Sequence, residues 1–195
     1  IVNCGVPARD MTIEIREEDG TPLPEKAIGK VWCKGPSVMV GYFRDQESTD
    51  ACLVDGWLDT GDLGRVDRDG FVWVTGRAKE LIKRGGHGID PGMIENALAA
   101  HDSVAVAAAV GRPDAYAGEI PVAYVQLHPG AAADEAELLA FASQRIQERA
   151  AIPKEIIILP QLPVTAVGKV HKQPLKLDIT QRVVERLIHA ITGAD

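Results

Sequence analysis

Cysteine is scarce in this chain of 195 residues: Cys4, Cys33 and Cys52 are the only three, and none forms a CxxC pair. Neither a disulfide framework nor a zinc site is expected. The five histidines, His87, His101, His128, His171 and His189, are scattered, and no two stand three or four apart on one helical face, which argues against a bound transition metal. No apolar run approaches the roughly 18 residues of a membrane span. A signal-peptide pattern is also missing, so neither insertion nor export is expected and the cytoplasm is the default compartment. Positive charge is outweighed, with 21 Lys and Arg against 28 Asp and Glu for a net charge of −7. That balance, and the lack of aromatics interleaved with the one basic run, argue against a nucleic-acid partner. The first methionine is Met11 and the chain opens Ile-Val-Asn-Cys, as expected of a piece of something longer.

What is present is apolar material, 46% of residues, enough for one ordinary domain or two small ones. Residues 1–76 alternate apolar and polar positions in short runs broken by turn chemistry, an antiparallel β pattern. Ile13 and Ile15 share a face, Lys30 to Lys34 alternates through Val31 and Cys33, and Asp69-Gly70 predicts a tight hairpin into a strand over 71–75. The later pattern differs. A helix is expected from Pro91 to about His101, with Glu95 adding negative charge near its N-terminal end. Strands are expected over 104–110, 120–127 and 156–159, and a helix between Asp134 and Ala150 through Leu138, Leu139, Ala142 and Ile146. A last helix from about Asp178 to Ile191 places Ile179, Val183, Val184, Leu187, Ile188 and Ile191 on one stripe. Strands first and mixed elements after predict an α+β fold, a β-rich piece followed by a compact α+β domain, with a border near Gly76 to Lys79. One continuous domain with a mid-chain turn is the alternative.

Three segments carry chemistry. In Gly56 to Gly64, GWLDTGDLG, residues Thr60, Gly61 and Asp62 read as a tight polar loop whose carboxylate could accept hydrogen bonds from vicinal hydroxyls. Structural Gly-Asp turns are common, so the triplet alone decides little. Arg77, Lys79, Lys83 and Arg84 against the single acid Glu80 make a basic run, either a solvated face or part of a site. Lys169 follows a glycine in an acid-free stretch, where it can act as a mobile point charge for a phosphate or carboxylate.

In this order and spacing the segments resemble the C-terminal signature of the adenylate-forming superfamily: acyl-CoA synthetases, amino-acid adenylation domains and luciferases. DGWLDTGDLG resembles its TGD motif, VTGRAKELIKRGGHGIDPGMIE its hinge segment and PVTAVGKVHKQPLK its late lysine motif. IGKVWCKGPSVMVGYFRDQEST looks like the stretch before the TGD motif, with Lys30 where many members carry Glu. The similarity runs from about Gly5 to Lys176, and its hinge is more like the acyl-CoA synthetase form than the amino-acid adenylation form. The family's Ser/Thr/Gly-rich phosphate loop, acyl pocket and magnesium-binding glutamate have no counterpart in these residues.

The resemblance implies that residues 1–76 are the β-rich end of a large domain and 77–195 a small mobile C-terminal domain. It assigns Asp62 to the ribose hydroxyls of ATP, Arg77 to the same nucleotide, Lys79 to the hinge and Lys169 to adenylation. Gly85 and Gly86 would line the path of the CoA thiol arm, where a Cβ would narrow the tunnel. His87 reads as a solvated loop residue or a base. The implied reaction joins a carboxylic acid, fatty or aromatic, to CoA through acyl-AMP, using ATP and Mg2+ held mainly by an N-terminal large domain outside this sequence. The alternatives are a non-catalytic nucleotide- or CoA-binding module and the C-terminal part of an enzyme that loads a carrier protein.

Overall fold

The computed structural model describes residues 2–193, which divide into two compact units at Lys79 and Glu80. The first unit is one antiparallel sheet. Its strands are β1 (Val2–Asn3), β2 (Thr12–Arg16), β3 (Gly29–Lys34), β4 (Leu53–Val54), β5 (Trp57–Val66) and β6 (Val72–Arg77). They run in the order β1-β6-β5-β3-β2, with β4 beside β5. Period-2 patterning buries Ile15 and Val31, which face one another across β2 and β3. The opposite face is organised by cation and ring: the Arg16 guanidinium stands 4.9 Å from the Trp32 ring and 4.4 Å from Trp57. The expected hairpin turn is present, with Asp67 accepting from Asp69 and Phe71 N–H and from Trp73 Nε1. A short helix, α1 (Gln46–Cys52), is capped by Asp45, whose carboxylate accepts from Ser48 N–H.

The second unit contains β7 (Ile82–Arg84), β8 (His87–Ile89), α2 (Pro91–Ala99), β9 (Val104–Asp114), β10 (Gly118–Leu127), α3 (Glu135–Arg145), β11 (Ile156–Ile158) and α4 (Lys172–Thr192). β10 is central, pairing antiparallel with β9 and β7 and parallel with β11. Because successive β10 side chains alternate in direction, two cores form. Ala123 and Val125 join Ile94, Leu98, Leu138 and Ala142 on one face. Val122 and Tyr124 join Leu162, Leu175 and Ile179 on the other. α2 begins as expected, with Pro91 at N1 and Asp90 accepting from Gly92 N–H.

Several expectations need correction. β9 and β10 extend past their apolar runs, because Gly111 to Asp114 pair with Gly118 to Pro121. α3 ends at Arg145, and the next residues turn so that the Ala150 carbonyl accepts from Arg84. α4 begins six residues before Asp178, since Pro174 lies in the first turn, where its missing N–H costs nothing. The apolar stripe of α4 is buried only at its N-terminal end: Ile179 is buried, whereas Val184, Leu187, Ile188 and Ile191 are exposed. No helix among the described residues is long and apolar enough to cross a membrane.

Candidate active-site elements

In the first unit, Thr60-Gly61-Asp62 is part of a strand and not the loop expected from its polarity. Asp59 pairs with Trp32 and Leu63 with Lys30, so residues 60–62 face Val31 alone and bulge from β5. The bulge is pinned from within. Thr60 Oγ1 donates to the Val31 carbonyl at 2.8 Å, Gly61 N–H to Asp59 Oδ1 at 2.9 Å and Asp62 N–H to Thr60 Oγ1 at 3.2 Å. The second Asp59 oxygen meets Lys30 Nζ at 3.3 Å, and Glu18 meets the same ammonium at 3.4 Å. Burial alone would lower the Lys30 pKa, but the Asp59 hydrogen bond and the two carboxylate charges outweigh it and raise it. Lys30, the departure from the family pattern, thus braces the bulge through Asp59.

Antiparallel register sets Asp62 opposite Arg77, and Arg77 Nε lies 3.0 Å from Asp62 Oδ1. An open cleft of about 480 Å³ adjoins Arg77, lined by Tyr42, Asp45, Thr60, Gly61, Arg77 and Lys79 among others, with Asp62 next to the lining but not part of it. Its far wall is fixed by Thr49, which accepts from Tyr42 N–H and donates to the Asp45 carbonyl. Lys79 is exposed in a single 3-10 turn, Ala78–Glu80, immediately after β6. This arrangement offers a carboxylate, a guanidinium and an ammonium on one surface, a set suited to a ribose phosphate.

In the second unit, Gly85 and Gly86 turn the β7–β8 hairpin, and Gly85 N–H donates to the Ala117 carbonyl at 2.7 Å. Their φ values are +57° and +84°, and a Cβ on either would meet nothing within 4 Å in this unit. The positive φ of both residues is a local reason for glycine at these positions. His87 opens β8 and is exposed.

Lys169 stands on a turn closed by bridge partners Val164 and Val170. Thr165 N–H donates to the Lys169 carbonyl at 2.7 Å, and Gly168, at φ +79°, donates to the Thr165 carbonyl at 2.9 Å. Buried Leu162 roots the turn, its N–H held by Gln126 Oε1 at 2.9 Å. The Lys169 side chain is exposed, and among the described residues it has no ion-pair partner.

Three residues later the situation reverses. Lys172 Nζ lies 2.9 Å from Glu80 Oε2 and 2.8 Å from Glu95 Oε1, with 18% of its side chain exposed. Glu95 also accepts from Ala109 N–H at 2.9 Å, so its carboxylate is tied to β9 and α4 and does not serve the α2 N-terminus as expected. Local pattern does not single out Lys172, because the apolar stripe that marks α4 in the sequence begins after it.

Residues 93–169 match the family model described as the AMP-binding enzyme C-terminal domain. The chain is 50% identical over 164 residues to the marinolic acid–CoA ligase of Pseudoalteromonas sp. (strain SANK 73390), covering 84% of this chain and 25% of that protein. It is 39% identical to the indoleacetate–CoA ligase of Aromatoleum aromaticum, covering 89% of this chain and 34% of that one. The crystal structure of ATP-bound MatB from Rhodopseudomonas palustris superposes with a TM-score of 0.83 at 34% identity, covering 90% of this chain and 35% of that one. The chain belongs to the adenylate-forming superfamily. It corresponds to the C-terminal part of such enzymes and spans about a quarter to a third of the length of these relatives.

Among the described residues no group of three His, Cys, Asp or Glu side chains could hold an ion. A Mg2+ accompanying ATP takes its ligands from phosphates, water and one or two carboxylates, so the absence of such a cluster does not bear on it.

Proposed function

We propose that this chain is the C-terminal part of an ATP-dependent, AMP-forming acyl-CoA ligase, supplying the charge for adenylation and the surface for thioester formation. The observation that carries the reading is Lys169, a cation on a rooted glycine turn with no ion-pair partner among the described residues. In the first half-reaction a carboxylate oxygen attacks the α-phosphorus of ATP and pyrophosphate leaves. Two anions must approach, so a fixed ammonium between them lowers the barrier without any proton transfer. Lys169 fills that role, Asp62 accepts hydrogen bonds from the ribose hydroxyls, and Arg77 lies against the same nucleotide.

In the second half-reaction the CoA sulfur attacks the acyl carbon, AMP departs and the thiol proton passes to solvent. Lys79 is the pivot: its exposed 3-10 turn is one short segment whose torsions can change while β6 and β7 keep their pairing. The Gly85-Gly86 hairpin then faces the thioester site. The reaction belongs in the cytoplasm, where ATP and CoA are both available. Relatives named for marinolic acid and for indoleacetate share this region, so the acid is chosen by other parts of the enzyme; a fatty or aromatic acid is our expectation.

The test is the complete protein incubated with ATP, CoA and a panel of carboxylic acids. Acid-dependent AMP, pyrophosphate and acyl-CoA are expected, and ADP with inorganic phosphate would contradict the reading. The 195 residues alone are expected to make no acyl-AMP, so acid-dependent pyrophosphate release by the purified chain would contradict the division of labour.

A further inference from the structure

We infer that Lys172 is a positioning residue: its ammonium fastens the Lys169 turn to Glu80, the residue that follows the pivot, and to Glu95 on α2. The inference rests on the reading of Lys169 above. Lys172 is the first residue of a 21-residue helix, where the helix dipole is positive and a cation is disfavoured. α4 has no acid of its own in its first turn, and its N-cap, His171, makes no side-chain capping bond. A lysine in that position needs compensation from elsewhere. Two carboxylates supply it, one from the 3-10 turn and one from α2, at 2.9 and 2.8 Å.

The connection is short at both ends. Lys172 lies three positions after Lys169 in sequence, a reach of at most about 10 Å, and Glu80 is bonded directly to Lys79. His171 N–H also donates to the Pro163 carbonyl, closing the base of the turn just before the ion-pair cluster. A rotation begun at Lys79 is therefore passed to Lys169 through Glu80 and Lys172 as well as through the β10 core. The raised Lys172 pKa agrees with this geometry: burial works against the charge, but Glu95 and then Glu80 prevail.

The experiment compares Lys172→Met with Lys172→Arg in the complete enzyme, timing acyl-AMP formation and, separately, thioester formation from supplied acyl-AMP. Lys172→Met is expected to slow acyl-AMP formation by about tenfold more than thioester formation, as a small misplacement of a reacting group does. Lys172→Arg, which keeps the cation, is expected to restore most of that loss. Equal loss in both half-reactions, or no loss in a folded variant, overturns the inference. Should Lys172→Met fail to fold, Glu80→Gln is measured instead: a smaller loss confined to acyl-AMP formation supports the clamp, and an unchanged rate overturns it. An unsubstituted enzyme that makes no acyl-AMP contradicts the functional reading itself, which separates the two failures.

Discussion

Lys169 and Lys172 are three residues apart and live in opposite environments. The first is exposed on a glycine turn without an ion-pair partner among the described residues; the second is largely buried between two carboxylates. One cation is left available for a ligand and the other is consumed by the fold. Proximity in sequence says little about role, and what separates the two is whether oppositely charged groups converge from other elements.

The contrast can be broken most severely at Lys172. Lys172→Met leaves Glu80 and Glu95 facing one another without their cation, and a loss of roughly 3 kcal/mol is expected in thermal or urea unfolding of the chain. The same residue sharpens the contrast by pH. Its folded pKa is raised from 10.5, so its contribution is fully present below the unfolded value and disappears as pH rises through the folded one. The difference in melting temperature between the parent chain and Lys172→Met should hold from neutral pH to about 10 and close above it. A difference that closes near neutrality would show that the clamp does not hold the ammonium.

A smaller effect is expected at the turn. Gly168→Ala forces a side chain into φ +79°, although the added Cβ meets no atom within 4 Å. The cost is about 1 kcal/mol, read as a lower unfolding midpoint with no change in the core. Smallest of all, Lys169→Ala should alter stability by less than about 0.5 kcal/mol, as for an exposed side chain outside any network. A large loss there would mean that Lys169 has a structural partner after all.

Much of this architecture is readable from local pattern. Asp69-Gly70 marks the hairpin, Pro91 the start of α2, and the β-branched runs the middle of β9 and β10. Extensions were harder, because Gly111 to Asp114 lack an apolar signature and join β9 only through pairing with β10. Thr60-Gly61-Asp62 looks like a loop by composition, and only its neighbours in β3 keep it in a sheet. Asp62 and Arg77 are brought together by register, which residue spacing does not specify. Least legible was the Lys172 cluster, whose partner Glu80 is 92 positions away. Its one local signal, a lysine at a helix N-terminus, is visible only once the helix start is placed.

The most direct test of the central claim is the ratio of the two half-reactions in the complete enzyme carrying Lys169→Ala. Removing one preorganised charge contact should slow acyl-AMP formation by about 100- to 1,000-fold, while thioester formation from supplied acyl-AMP stays within a few-fold of the parent. Equal loss in both, or retained acyl-AMP synthesis, would contradict the assignment of adenylation to this lysine.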